Sequence, residues 1–411
     1  MSKKHWAIFI DNTSNKNQLI DTLLQGKAGL NFNVFNNSKG GLYAKKVLDK
    51  YIDEEDRHDT RIIDTNKDQS LKSMSSGEQK KALLNHLLKS NLDFLILDNP
   101  FDNIDIESQE RLQSLLLDAS EKISIVQLIS RKVDLLPFIE NFASLEDSNL
   151  IFYKNKSEAL ETNLNSVFDG EIPQPEKSYE IKDDVLIRLD GVEVKYGKKP
   201  ILNHIQWTIK KGEFWELRGN NGSGKTTILS MITGDNPKGY GQELFIFGHK
   251  KGSGESVWEI KKLIGYFTPS ITDKFTGYHS VEHMIISGLT DSIGLYVRPT
   301  EVQLRLAKEW LKLIDLWDVK DKLFHDLTMG QKRLIMCARA MIKHPPLLIL
   351  DEPTAGLDDA SAMLFVSLVN KFAKESTTTT VFVSHRKEPG LKPDYIYRLD
   401  MSKNGSTGRV L

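Results

Sequence analysis

The chain has 411 residues, enough for two or three ordinary domains, and 39% of them are hydrophobic, enough to fill real cores. Its 55 basic and 56 acidic side chains leave a formal charge of −1, which offers no bulk attraction to nucleic acid or to an anionic membrane. The one cysteine, Cys337, excludes an internal disulfide and a thiolate zinc cluster, and fits a reducing compartment.

In chain order, MSKKHWAIFID opens with an apolar run that Asp11 ends, too short for a signal peptide. No apolar stretch approaches the roughly 20 residues of a spanning helix. The expectation is a cytoplasmic protein, peripheral at the inner face of the cell membrane when another chain supplies a spanning part. MSSGEQKKALL, from Met74, reads as a Gly-containing turn before a helix. NLDFLILDNP (91 to 100) reads as a buried parallel strand with an acid at its C-terminal end, and SIVQLIS (124 to 130) as the next strand. Residues 169 to 184, DGEIPQPEKSYEIKDD, are polar, Pro-bearing and aperiodic, and read as a linker. VLIRLDGVEVKYG and PILNHIQWTIKKGEFWELRG follow as strands, and EVQLRLAKEWLKLI (301 to 314) has helical apolar spacing. LTMGQKRLIMCARAM, PPLLILDEP (345 to 353) and TTVFVS (379 to 384) then repeat the order seen in the first half. Two copies of one α/β unit, over 1–168 and 185–411, explain the repeat.

GNNGSGKTT (219 to 227) follows a strand and opens an apolar-periodic segment, which is the context of a phosphate-binding P-loop. Gly219, Gly222 and Gly224 permit backbone angles and close approach that a Cβ blocks. The N–H groups of Asn220, Asn221, Ser223 and Thr227 and of the helix start are available to surround phosphates. Lys225 is expected at the β/γ-phosphates of ATP, and the Thr226 hydroxyl on Mg²⁺. Asp351 ends the LLLIL strand, where a P-loop enzyme keeps an acid for the Mg²⁺ shell. Glu352 is the candidate proton acceptor for an attacking water. His385 ends the strand TTVFVS, and taken alone it is as readily structural as functional.

On these residues the second half resembles an ATP-binding cassette (ABC) domain over its whole length. LTMGQ is similar to the family signature, with Met329 where glycine is usual, and AGLD (355 to 358) to its D-loop. The resemblance implies that His385 is the switch histidine and that Tyr196, in VKYGKKP, stacks on adenine. Segments such as ITGDNPKGY and DSIGLY are similar to the tandem ATP-binding proteins associated with molybdate transport and photorepair in bacteria. The loop after IGYF departs from the family. It reads Thr268-Pro269-Ser270, without the glutamine that senses γ-phosphate and contacts a transmembrane partner.

The first half resembles the same family, truncated and degenerate. Its loop DNTSNKNQ (11 to 18) keeps Lys16 but has Thr13 and Asn15 for glycines and Asn17 for the Mg²⁺-binding hydroxyl. Asp98 is followed by Asn99 instead of a glutamate, and Arg131 stands at the switch position. Its signature MSSGE keeps Ser75 and Gly77. Family domains pair head to tail, so the resemblance implies intramolecular pairing with one hydrolytic site, the second P-loop under the first signature. The implied role is the ATPase subunit of a transporter, with a membrane permease as partner and nucleic acid disfavoured. A soluble ABC ATPase acting on a macromolecule, or a regulatory ATP sensor, are the alternatives.

Overall fold

Uninterrupted apolar runs bury on both faces, as strands do inside a parallel sheet covered by helices. FLILD and LLILD are two such runs, and each lies at the heart of its own half. The structure is a computed structural model that describes residues 3–27, 29–58, 61–63, 69–102, 104–161, 168–272, 274–275 and 277–411. It divides into a first unit, Met1–Leu164 with Gly356–Asp359, and a second, Asn165–Ala355 with Ala360–Leu411.

The first unit runs β1 (Trp6–Ile10), α1 (Lys16–Leu24), β2 (Gly40–Tyr43), α2 (Lys45–His58), α3 (Ser76–Leu88), β3 (Phe94–Asp98), α4 (Ile106–Ser120), β4 (Ser124–Ile129), β5 (Asn141–Glu146), β6 (Asn149–Tyr153) and α5 (Lys156–Leu160). Its sheet has six strands in the order β2-β3-β4-β1-β5-β6, parallel except for the final β5–β6 pair.

The second unit runs β7 (Val185–Tyr196), β8 (Lys199–Lys210), β9 (Phe214–Gly219), α6 (Lys225–Ile232), β10 (Leu244–Ile246), β11 (His249–Lys250), α7 (Val257–Lys262), β12 (Ile264–Phe267), α8 (Pro269–Thr272), α9 (Val281–Ile286), α10 (Glu301–Leu313), α11 (Met329–Met341), β13 (Leu347–Asp351), α12 (Asp359–Glu375), β14 (Thr379–Ser384), β15 (Tyr395–Asp400) and β16 (Thr407–Val410). Its main sheet, β12-β13-β14-β9-β15-β16, repeats the first unit strand for strand, again with one antiparallel pair at the end. The internal repeat in the sequence is therefore a repeat of topology.

The second unit adds an antiparallel sheet in the order β11-β10-β7-β8. Strands β7 and β8 alternate buried and exposed residues, as strands with one solvated face do. The buried face, including Ile187, Val192, Ile205, Trp207 and Ile209, joins one core with Leu217, Ile228, Ile349 and Val383. No counterpart of this sheet occurs among the described residues of the first unit. The helical spacing read over 301 to 314 is α10, which buries Leu306, Ala307, Trp310 and Leu311 and starts at a Thr300–Gln303 capping box.

Residues 169 to 184 form neither helix nor strand. They lie on the second unit: Ile172 N–H donates to Glu375 Oε2 at 3.1 Å, and His344 Nε2 lies 2.8 Å from the Pro173 carbonyl oxygen. No helix among the described residues is long and apolar enough to cross a membrane.

Candidate active site

In an open α/β sheet the loops at the carboxyl ends of the parallel strands form the crevice. In the second unit three adjacent strands deliver the candidate residues there. β9 ends at Gly219, β13 at Asp351, and β14 at Ser384, just before His385. Register keeps these ends level, with Asp351 opposite Val383 and Ser384 opposite Arg218.

The loop from Gly219 to Gly224 depends on two backbone conformations. Gly222 has φ +78° and Gly224 φ +96°, in the left-handed region that favours glycine. A Cβ on Gly224 would also sit 2.5 Å from Leu202 Cδ2, and one on Gly219 2.6 Å from Ser223 Oγ. The turn delivers Lys225 as the first residue of α6, with Thr226 and Thr227 in its first turn. Lys225 is buried, and its Nζ donates to the carbonyl oxygens of Gly219 at 2.7 Å and Asn220 at 3.2 Å. Ser223 is fully buried, and its Oγ has no hydrogen-bond partner among the described residues. An unmatched buried hydroxyl, a buried ammonium and a loop that crowds a Cβ at Gly219 and Gly224 suit an anionic ligand with several oxygens.

Glu352 stands between the two basic candidates. Its Oε1 lies 3.7 Å from Lys225 Nζ and 3.5 Å from His385 Nδ1. His385 holds the Glu352 carboxyl below its ordinary pKa against the opposing effect of burial, and Lys225 adds to this. Glu352 has φ +48°, and its N–H donates to the Val383 carbonyl at 3.0 Å. Asn99 repeats that conformation in the first unit, with φ +45° and an N–H donated to Leu128 at 2.9 Å. The backbone slot was thus kept in both units while the side chain changed. Burial, and then the Glu352 charge, push the Asp351 carboxyl up to about 6. A divalent cation beside it would favour the ionised form.

Tyr196 ends β7 on the surface. Its hydroxyl accepts from Asn236 Nδ2 at 2.8 Å, and Lys238 Nζ lies 5.8 Å from its ring centroid. In the first unit Ser75 caps α3, and its hydroxyl donates to Glu78 Oε2 at 2.9 Å in a capping box. Gly77 lies in the first turn of that helix. At the equivalent helix of the second unit, Thr328 caps α11 and Met329 is its exposed first residue. Thr268-Pro269-Ser270 leads into the short helix α8, and contributes neither a carboxamide nor a carboxylate.

Two supporting groups escaped the sequence reading. The Tyr266 hydroxyl donates to Asp351 Oδ2 at 3.3 Å. Glu216, buried in mid-strand, accepts from Ser384 Oγ at 2.9 Å and from Arg218 Nε at 3.1 Å. This pairing ties the end of β9 to the residue before His385. The only signal for Glu216 was an acid inside an apolar strand.

The ABC transporter family model matches residues 202–355. The ABC transporter ATP-binding protein ModF of Escherichia coli (strain K12) is 36% identical over 335 residues, which cover 78% of this chain and 68% of that protein. An uncharacterized ABC transporter ATP-binding protein of Schizosaccharomyces pombe is 30% identical over 327 residues, covering 78% of this chain and 66% of that protein. The chain thus spans about two thirds of each relative's length. Among solved structures, an archaeal ribosome recycling factor, in complex with a ribosomal stalk protein, superposes with a TM-score of 0.64 at 16% identity. That match covers 98% of this chain and 85% of the other, and shows a shared fold.

Gly224→Ala tests the cradle. Forcing a Cβ into a left-handed position costs about 1–3 kcal/mol. Triphosphate affinity, measured by equilibrium dialysis, should fall roughly tenfold or more while the far-ultraviolet circular dichroism stays native. Unchanged affinity would show that the loop does not wrap phosphates.

Proposed function

The chain belongs to the ABC transporter ATP-binding proteins and is an ATPase, and from that premise we propose that it hydrolyses ATP at one site, built on the P-loop of its second unit and covered by the signature turn of its first. The observation that carries this is the grouping of Lys225 and His385 around the Glu352 carboxylate at the level strand ends. Tyr196 offers an aromatic face for the adenine. Gly219, Asn220, Asn221, Gly222, Ser223, Gly224 and Thr227 line the phosphates with N–H groups and hydroxyls, and Lys225 leaves its loop carbonyls for the β- and γ-phosphate oxygens. Thr226 and Asp351 would hold Mg²⁺, which neutralises charge on those oxygens.

Glu352 is ionised and near the γ-phosphate end of the loop, as a proton acceptor has to be. The water that attacks the γ-phosphorus passes a proton to Glu352. The bond from γ-phosphorus to the bridging oxygen breaks, and ADP and phosphate leave. His385 keeps the carboxylate oriented, so that the acceptor and the reacting centre stay aligned. In the first unit Asn99 occupies the acceptor slot, and an amide cannot take that proton. Ser75 and Gly77 keep the helix N-terminus that stabilises charge on the transferring phosphoryl group.

The transport role follows from the kinship with transporter ATP-binding proteins, and makes a membrane permease the expected partner. Pro269 at the usual glutamine position favours the alternative, a soluble ATPase acting on a macromolecule. Affinity purification from detergent-solubilised membranes and from ribosomal fractions separates them. Transport requires a polytopic membrane chain in the eluate, and ribosomal proteins alone would overturn it.

Glu352→Gln should lower steady-state turnover about 10²–10⁴-fold with ATP still bound, because only the proton acceptor is lost. Lys225→Ala should weaken ATP binding itself. A Glu352→Gln protein with near wild-type turnover would refute the assignment.

Gly77→Asp should suppress hydrolysis with little change in initial ATP affinity, since it sets a carboxylate against the charge developing on the phosphoryl group. Gly330→Asp, in the other signature, should cost much less. Equal losses in steady-state ATPase would mean two working sites, or pairing of second units from separate chains.

A further inference from the structure

The first unit's counterpart of the P-loop has satisfied itself. Its four N–H groups ahead of and at the start of α1 have acceptors within the protein. Thr13 N–H and Ser14 N–H each donate to Asp11 Oδ1 at 2.8 Å. The Thr13 hydroxyl donates to the same oxygen at 2.8 Å. Asn15 N–H donates to the Asp147 carbonyl oxygen at 2.7 Å, and Lys16 N–H to that of Ser14 at 2.9 Å. The backbone has moved with these bonds. Asn15 has φ −80°, where the matching Gly224 has φ +96°.

The cationic side is equally committed. Lys225 reaches back to the carbonyls of its own loop, but Lys16 Nζ pairs with Asp98 Oδ1 at 2.9 Å. Asp98 matches Asp351, the Mg²⁺ candidate of the second unit. Lys46, from the stretch that matches Pro269 and its neighbours, donates to Asn17 Oδ1 at 3.0 Å. Asn17 matches Thr226, the other Mg²⁺ candidate.

We propose that the first unit carries its own ions in place of a metal nucleotide: the Asp11 carboxylate stands in the phosphate cradle, the ammonium groups of Lys16 and Lys46 pair with the counterparts of the two Mg²⁺ ligands, and the unit holds this loop formed without binding ATP. The physical basis is charge economy. N–H donors without acceptors are costly, and here a carboxylate of the same chain takes two of the four and backbone carbonyls the other two, with no loss of a free ligand's entropy. The Asp11 carboxyl is held below its ordinary pKa, burial opposing this and the Thr13 and Ser14 hydrogen bonds prevailing. This goes beyond the one-site ATPase and rests on it only for the silencing of the second P-loop.

Two measurements test it, both in a Lys225→Ala background that removes the second cradle. Dialysis of this full-length protein against Mg-ATP should show no saturable binding. Saturable binding that disappears on adding Lys16→Ala would overturn the proposal. Asp11→Ala should lower the melting temperature, and inorganic phosphate should restore it more than chloride of equal ionic strength does, by supplying the missing anion. The parent with Asp11 intact should show no phosphate-specific gain. Asp11→Asn keeps one oxygen acceptor, so it should fall between the two and serves if Asp11→Ala does not fold. Equal melting temperatures for parent, Asp11→Asn and Asp11→Ala, or an equal phosphate response in all three, would overturn it. Failure of the ATPase proposal would appear separately, as lack of turnover in the wild-type chain.

Discussion

Three buried parallel strands, β9, β13 and β14, end level with one another, and the chemistry of the second unit hangs on that register. Each strand turns at its carboxyl end into a different candidate element: the loop from Gly219 to Gly224, the Asp351-Glu352 pair and His385. A slip of one residue would turn every side chain of the slipped strand to the opposite face. The register is held by apolar packing on both faces and by the polar tie of Glu216 to Ser384 and Arg218. An acid buried this deeply is tolerated because it is fully engaged. Losing one partner would leave a buried charge at the point where the site is aligned.

The same frame in the first unit carries different ions. There the strand order is identical, and the left-handed position after the β3 acid is kept. The side chain at that position differs, Asn99 against Glu352, while its backbone conformation is shared. Asn99 holds the slot of Glu352, and its Nδ2 donates to Ser130 Oγ at 3.1 Å, so the amide serves structure. The loop around Asp11 is bonded to itself. Its N–H donors are satisfied within the chain. The helix start at Ser75, which needs no phosphate loop of its own, was retained with its capping box.

Much of this was legible from residue types and their order. The apolar runs that end in Asp, the glycine spacing before Lys225, and the helical spacing over 301 to 314 are local signals, because burial and backbone conformation constrain residue type position by position. The repeat was visible for the same reason: two stretches that must bury in the same way draw on the same few residues. Kinship with the ABC family followed from those motifs together, since each alone is short.

What the sequence could determine by itself was the identity of the groups: a P-loop lysine, an Asp-Glu pair, a strand-end histidine, and a first half without its glycines or its glutamate. Only the tertiary structure decided which groups meet. Tyr266 is 85 residues from Asp351, and Glu216 is 168 from Ser384, and nothing in the local pattern announces either hydrogen bond. Lys16 is paired by the fold with Asp98, 82 residues away. The sequence shows that the first loop lacks its glycines, and only the fold shows its Thr13 and Ser14 N–H groups donating to the Asp11 carboxylate. The physical reason is one of range. Propensity and burial act on a residue and its neighbours in the chain, but hydrogen bonds and charge pairs act through space, between partners that only the packed sheet brings together.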